Sequence, residues 1–166
     1  MTGAIRVIFV GDLDARKRCW QRYRVLKELG YKVWGIDTRR KGIGKDERCC
    51  IFLRMIEYLS NRVNLPLDIF RVNKRLVDMA IDVKPDYIWI EKSLTVNYQT
   101  LLYIRNKLPK VKLIGYSEDD MVNPTNSSSQ YRKSVPYFDV IVTTKSYNAL
   151  PEELPSMGAK KVYFVD

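Results

Sequence analysis

Clusters of polar and charged residues follow five short apolar segments of this 166-residue chain, and these clusters carry most of its potential chemistry. The triplet Glu118-Asp119-Asp120 comes directly after the segment 112–117. Its carboxylates suit three roles: they hold Mg²⁺ or Mn²⁺ together with a diphosphate, they bind a substrate hydroxyl, or they accept the backbone N–H groups of the following turn. All three alternatives stay open at the level of sequence. The other segments end in Gly11, Asp12 and Asp14, in Asp37 and Thr38, in Glu91, Lys92 and Ser93, and in Thr143, Thr144 and Lys145.

The segments that precede these clusters are short, apolar and rich in β-branched residues, which is typical of buried strands. Segments with a helical spacing of apolar residues alternate with them, and helix-ending residues such as Gly30 and Pro109 separate the two kinds. This alternation predicts a single α/β domain of Rossmann-like, doubly wound type with a mainly parallel sheet. In such a sheet ligands bind beyond the carboxyl ends of the strands, so the clusters are expected to share one rim. The predicted strands cover 5–10, 32–37, 87–91, 112–117, 140–143 and 162–165, and the main predicted helices cover 17–29, 51–59, 68–83 and 97–108.

The glycine-containing segment 38–46 lacks a complete nucleotide-binding motif. Arg39 stands where a Walker A motif has its first glycine, no Ser or Thr follows Lys45, and Glu47 occupies the third glycine position of a dinucleotide fingerprint. A flexible basic loop is the favoured interpretation, and no cofactor is predicted. The chain has no histidine, and its three cysteines form no CxxC pair, so a Cys/His zinc site is excluded. No metal ligand is assigned.

The formal net charge of +10 favours anionic partners. Because the basic residues are spread along the chain rather than gathered into a tail, nucleic acid is not favoured as a partner, whereas peripheral contact with an anionic surface stays open. The sequence shows no export signal at its start and no run of eighteen consecutive apolar residues. These observations predict a cytoplasmic location and no transmembrane segment.

Two further features concern the start of the first predicted helix. Arg16, Lys17 and Arg18 lie where positive charge opposes the helix dipole, so a bound anion or the nearby acidic residues must compensate for them. Trp20 and Trp89 are assigned to the core, because buried packing is the commoner role of tryptophan.

Five motifs occur in a fixed order along almost the whole chain. They are RYRVLKELGYKV at 22–33, KPDYIWI at 84–90, GYSEDD at 115–120, YFDVIVTT at 137–144 and GAKKVYF at 158–164. Together they resemble the amino-terminal domain of GT-B glycosyltransferases, in particular the spore-maturation-type, CgeB-like branch. Tyr31 departs from the histidine that is usual at its position in that family.

The resemblance implies that residues 1–166 form the acceptor-side half of a two-domain enzyme that transfers a sugar from a nucleotide-sugar donor. The expected partner is an acceptor that is a sugar, a glycan or a small molecule. The nucleotide sugar would bind only with a carboxyl-terminal domain that is absent here, so the chain alone is expected to be inactive. If the whole enzyme inverts, Asp12 or Asp119 would deprotonate the acceptor hydroxyl from about 3 Å. The substrate-binding candidates are Gly11, Arg16, Lys92, Ser93, Glu118, Asp120 and Thr144.

A second hypothesis comes from the charge alone. A non-catalytic Rossmann-like module with a net charge of +10 would bind nucleic acid or another anionic ligand. It predicts binding that weakens steeply as the salt concentration rises.

Overall fold

The computed structural model describes residues 4–39, 55, 58–60, 66–92 and 94–166. Most of the basic segment 38–46 therefore lies outside the described residues, and so does the candidate Ser93. Of the predicted helix 51–59, only Met55 and residues 58–59 are described, and these are helical.

Six strands form one parallel sheet in the described part of the chain. They are β1 (Arg6–Gly11), β2 (Lys32–Asp37), β3 (Tyr87–Glu91), β4 (Lys112–Ser117), β5 (Val140–Thr143) and β6 (Val162–Phe164), and their order in the sheet is β2-β1-β3-β4-β5-β6. This single-domain α/β fold confirms the predicted Rossmann-like, doubly wound sheet. The strand order reverses between β1 and β3, because the connection from β1 leads outward to β2 and the connection from β2 returns across β1 to β3.

Helices cover both faces of this sheet. Alternate residues of β1 point to opposite faces, so Phe9 packs against Cys19 and Tyr23 of the first helix, while Ile8 and Val10 belong to the larger core on the other side. All three β1 residues are fully buried, which explains why the strand is an unbroken apolar run. The helices are α1 (Arg18–Glu28), α2 (Val72–Val83), α3 (Tyr98–Lys107) and α4 (Ser129–Ser134).

Trp20 and Trp89 differ from the prediction, since both are only partly buried. They pack against the small cluster around Phe9, with the Trp89 ring 6.4 Å from the Phe9 ring and the Trp20 ring 5.2 Å from that of Tyr23. Their indoles therefore cover the edge of the core instead of lying inside it.

Local capping sets the helix ends. Gly30 follows α1 with φ +86°, a left-handed conformation that glycine adopts without steric cost, as predicted. The second helix begins at Val72 rather than at the predicted Asp68, because the Asp68 carboxylate accepts the N–H groups of Val72 and Asn73 and so precedes the helix. After β5 the chain forms two 3₁₀ turns, Ser146–Ala149 and Pro155–Met157.

Two aspartates link neighbouring strands at the amino edge of the sheet by hydrogen bonds, which we call the Asp86 and Asp139 staples. Asp86 precedes β3, and its Oδ2 accepts the backbone N–H of Arg6 at 2.8 Å. Asp139 precedes β5, and its Oδ2 accepts the backbone N–H of Leu113 at 2.8 Å. These bonds fix the register of β1 on β3 and of β4 on β5. In the ranges that the structure describes, no helix combines the length and apolarity that a membrane span requires.

Candidate functional site

A cleft of about 520 Å³ opens at the carboxyl edge of the sheet. It lies where β1, β3 and β4 end and where α1 begins, over the point at which the strand order reverses between β1 and β3. This is the place where open parallel sheets bind ligands, because the two crossovers diverge there and leave a crevice. The charged residues that line it are Asp12, Lys17, Arg18, Arg22, Arg39, Glu91, Lys92, Glu118 and Asp119.

Arg22 of α1 is the central residue of the cleft floor. Its Nε and Nη2 each donate to one oxygen of Glu91 at 2.7 Å, and its Nη1 donates to Oε1 of Glu118 at 2.7 Å. The guanidinium also lies over the Tyr116 ring, with Cζ 4.3 Å from the ring centroid. Burial alone would lower the pKa of Arg22, but the two carboxylates outweigh it and raise the pKa above its ordinary value. Arg22 therefore stays charged and ties α1 to the ends of β3 and β4.

Glu91 is the most buried carboxylate in the cleft, with a side chain only 7% exposed. Besides the two bonds from Arg22, it accepts the indole N–H of Trp89 at 2.8 Å. A buried carboxylate is tolerated only when it is paired and hydrogen-bonded, and Glu91 meets both conditions. Its role in the described structure is to anchor Arg22.

The acidic triplet after β4 divides into two parts. Glu118 binds Arg22 and also Arg18, whose Nη2 lies 3.0 Å from Oε2, while Asp119 binds Nζ of Lys92. Asp120 does not line the cleft. Its Oδ1 accepts the N–H groups of two following residues and the Nδ2 of buried Asn148, so the turn-capping alternative describes this residue.

Asp12 lies on the opposite wall of the cleft. Its Oδ2 is 3.2 Å from Nε of Arg39, and its Oδ1 accepts the N–H of Asp14 at 3.2 Å. The two predicted catalytic candidates, Asp12 and Asp119, thus both form ion pairs. Among the described residues, no group of three acidic, cysteine or histidine side chains is arranged to hold a metal ion.

The structure brings together four of the predicted site residues: Asp12, Lys92, Glu118 and Asp119. Gly11 is buried, and a Cβ there would lie 2.4 Å from Sγ of Cys19, so its lack of a side chain allows α1 to pack closely. Arg16 points to solvent and pairs with Asp14, outside the cleft lining. Thr144 also lies outside it, with its hydroxyl donating to the carbonyl of Glu118 at 3.1 Å.

The sequence did not single out Arg22 of α1 as a site residue. Glu91 was predicted at the rim, and Arg18 at the basic start of the first helix, where a bound anion or acidic residues would compensate for it. Arg18 and Arg22 are one helical turn apart and therefore lie on the same side of α1, which is the available sequence signal. Glu91 and Glu118, the carboxylate partners of Arg22, lie 69 and 96 residues further along the chain, so no local pattern indicates them. At the basic start of α1, the nearby Asp14 pairs with Arg16, in agreement with one predicted alternative, whereas Arg18 pairs with the distant Glu118.

The charges of the cleft are arranged in depth. The side chains of Asp12, Glu91 and Glu118 are at most 23% exposed and that of Asp119 is 45% exposed, whereas the side chains of Arg18 and Arg39 are 74% and 71% exposed. Lys17, also at the mouth of the cleft, forms no ion pair with any described residue. An approaching ligand therefore meets Lys17, Arg18 and Arg39 first, and three of the four acidic side chains lie behind them.

No protein-family model and no curated protein matches the chain. Among solved structures, it matches RcsB from Salmonella enterica serovar Typhimurium, determined bound to promoter rprA in the presence of phosphomimetic BeF3-, at 10% sequence identity and a TM-score of 0.46. The match covers 95% of this chain and 62% of that one, so the chain spans about three fifths of that protein's length.

The predicted function, the acceptor-binding half of a glycosyltransferase, was wrong. No family model and no curated protein supports a transferase, and the solved structure named above is not that of a glycosyltransferase. The two candidate bases both form ion pairs in the structure, Asp12 with Arg39 and Asp119 with Lys92.

Proposed function

We propose that the chain is a non-catalytic Rossmann-like module that binds a small anionic ligand in the cleft at the carboxyl edge of the sheet. The observation that carries this proposal is the arrangement of charge in depth: exposed Lys17, Arg18 and Arg39 lie in front of the buried Glu91 and the partly buried Asp12 and Glu118, which are already paired. A multivalent anion such as a diphosphate group would face these cations at the mouth of the cleft. The cleft lies where the strand order reverses, and open parallel sheets bind ligands at that point.

The start of α1 supports the same ligand class. The first turn of α1 contains no acidic residue, and its N-cap, Lys17, makes no side-chain capping bond. The backbone N–H groups at the start of a helix favour negative charge, and here cationic side chains surround them. Arg18 is already shared with Glu118, so an incoming anion would bridge Lys17 and Arg18 without displacing Arg22 from its buried partners.

Titration calorimetry with inorganic pyrophosphate at low ionic strength tests this function. The double variant Lys17→Gln/Arg18→Gln should weaken binding by about tenfold or more, because it removes two charge-assisted contacts. The matched control is Arg24→Gln/Lys27→Gln, which removes two charges from the same helix outside the cleft and should leave binding unchanged. Absence of heat at millimolar pyrophosphate, or an equal loss in both double variants, would refute the proposal.

We also propose a cytoplasmic location, which the thiol of Cys19 supports. It is buried and forms no disulfide with any residue that the structure describes, as is usual in a reducing compartment.

A further inference from the structure

A second basic surface lies at the opposite, amino edge of the sheet, in a groove of about 540 Å³. Two neighbouring loops form it: the one between α2 and β3, with Lys84, and the one between α3 and β4, with Lys110. We call it the amino-edge groove, and its exposed lysines are Lys84, Lys107, Lys110 and Lys112.

These four lysines form no close ion pair within the described structure, although Nζ of Lys107 lies 5.8 Å from the Tyr103 ring centroid and Lys112 interacts with the charge of Asp139 at longer range. None of them lies within 4 Å of a described carboxylate oxygen. The one acidic side chain of the groove, Asp86, is already engaged by the backbone and guanidinium of Arg6. The groove therefore presents four like charges that repel one another, and a bound polyanion would remove this repulsion.

Helix dipoles explain only part of this charge. Lys84 and Lys107 stand at the carboxyl ends of α2 and α3, where a positive charge is favourable. Lys110 and Lys112 lie beyond the last turn of α3, where the dipole no longer acts appreciably. Asp139 offsets part of the Lys112 charge, whereas no described carboxylate pairs with Lys110.

Lys84 adopts a backbone conformation that suits glycine better. Its φ is +49° and its ψ is +64°, in the left-handed region where a β-carbon is strained, and Pro85 follows directly. Most helices that end in this conformation use glycine or asparagine there. A lysine at this position lowers the stability of the fold. A role for its ammonium group in binding an anion would explain why lysine stands here.

An aromatic ring stands among the lysines. Tyr87 begins β3 with 37% of its surface exposed, and it is the parallel-strand partner of Lys112 at the start of β4. Parallel register places the two residues side by side, so one surface offers a ring face and an ammonium group together. Single-stranded nucleic acids are bound by this combination: bases stack on aromatic rings while phosphates contact basic groups.

We propose that the amino-edge groove binds single-stranded nucleic acid, with Tyr87 stacking on a base and Lys84, Lys110 and Lys112 contacting the backbone. The lysines are dispersed over two loops instead of converging on one point, which suits an extended chain of phosphates better than a single phosphate group. An anionic membrane would call for protruding apolar side chains, whereas of the apolar residues that line this groove Pro85 and Val111 are buried and Leu108 is partly buried. Binding here is independent of the carboxyl-edge cleft.

Fluorescence anisotropy with a labelled oligodeoxythymidylate of about 12 nucleotides, read over a range of salt concentrations, tests the proposal. Lys84→Gln/Lys110→Gln should weaken binding and reduce the slope of log K against log salt by about 1.4, since each single-strand phosphate contact contributes about 0.7. Arg24→Gln/Lys27→Gln, which removes two charges outside both the groove and the cleft, is the matched control and should change neither quantity. Equal losses in the two double variants would mean that the oligonucleotide responds to net charge alone, and the assignment to this groove would fail.

The role of Tyr87 has its own readout. Tyr87→Leu should weaken oligonucleotide binding about tenfold without changing the salt slope, and Tyr87→Phe should retain it, because the ring and not the hydroxyl stacks. If Tyr87→Leu is without effect and inorganic polyphosphate competes as well as the oligonucleotide, the groove is a general polyanion site and the proposal is wrong. Binding to phosphatidylserine vesicles without binding to the oligonucleotide would equally overturn it in favour of a membrane.

Lys84→Gly separates binding from folding. Glycine relieves the strained conformation, so this variant should unfold at a higher temperature and yet bind the oligonucleotide more weakly. Arg71→Gly is its control: Arg71 also has a positive φ, +52°, but lies outside the groove. It should gain stability and bind as the parent does. A Lys84→Gly protein that keeps full affinity would show that the strained lysine has no part in binding.

Discussion

Arg22 and Glu91 form a buried ion pair with two parallel hydrogen bonds, in which Nε and Nη2 of the guanidinium each lie 2.7 Å from one carboxylate oxygen. Because α1 contributes the first residue and β3 the second, the pair joins a helix to the centre of the sheet. Breaking this pair should cost more stability than breaking an exposed pair on the same helix, since exposed pairs contribute about 1 kcal/mol or less.

We expect Arg22→Met to lower the free energy of unfolding by about 3 kcal/mol, because it leaves the Glu91 carboxylate buried without its cation. Urea denaturation followed by circular dichroism measures this loss. Replacing both partners, Arg22→Met/Glu91→Leu, should recover much of it, since no buried charge then remains. Arg24→Gln, which removes an exposed pair with Glu28 on the same helix, should cost about 0.5 kcal/mol at most. Similar losses in Arg22→Met and Arg24→Gln would contradict the distinction.

Gly11 allows close packing between β1 and α1. We expect Gly11→Ala to destabilise the protein by about 1–3 kcal/mol, because the new Cβ would lie 2.4 Å from Sγ of Cys19 and 3.0 Å from Cβ of Glu91. Removing the sulfur in Gly11→Ala/Cys19→Ala should restore part of the loss relative to Cys19→Ala alone, as a thermal-melt double-mutant cycle would reveal. Gly115→Ala in β4 is the control and should destabilise the protein less, since its Cβ would lie 3.4 Å from the Phe138 ring. An additive cycle would argue against the contact with Cys19.

Acid should unfold the protein partly by protonating Asp139. Burial alone would raise the pKa of this carboxyl, but the Leu113 N–H and the Arg105 guanidinium outweigh burial and lower it. A carboxyl whose pKa is lowered on folding contributes stability that is fully present above its unfolded pKa of about 4 and is lost as the pH falls through the folded value. Asp139→Asn should therefore be less stable at pH 7 and show a flatter dependence of unfolding free energy on pH below about 4. Parallel curves for the two proteins in urea titrations would contradict this.

The Cys19 thiol should react slowly. Burial and the neighbouring Glu91 charge raise its pKa to about 12, so hardly any thiolate exists near neutral pH. In a Cys49→Ser/Cys50→Ser background, alkylation by iodoacetamide at pH 8 should be much slower in the native protein than in 6 M urea, as mass spectrometry can follow. Equal rates in the two conditions would show an accessible thiolate. Reactivity that rises only towards pH 12 in the folded protein would agree with the raised pKa.

The element order was predictable because it depends on local signals. All six strands and the parallel sheet were predicted from apolar runs, from the glycines and prolines that separate them, and from the alternation of strand and helix. The parallel sheet in turn predicted that Asp12, Lys92, Glu118 and Asp119 meet at one rim. What each residue does there was not predictable. The partner of each charge comes from a distant element, so sequence could not show that Asp12 and Asp119 are neutralised.

Arginines within a helix usually face solvent, which is why Arg22 gave no signal as a buried anchor. Asp120 belonged to an acidic run, and nothing local distinguished it from Glu118. It differs because buried Asn148, which follows β5, donates to its carboxylate and turns it away from the cleft.

The Asp86 staple also bears on the order in which the sheet can assemble. It joins residues 80 positions apart, whereas the Asp139 staple joins residues 26 positions apart. Closing the longer loop costs about 1 kcal/mol more in chain entropy, because that cost grows as 1.5RT times the logarithm of loop length. Pairing of β4 with β5 is therefore favoured over pairing of β1 with β3 early in folding. β1, which lies between β2 and β3 in the finished sheet, gains its second neighbour only when the long crossover closes.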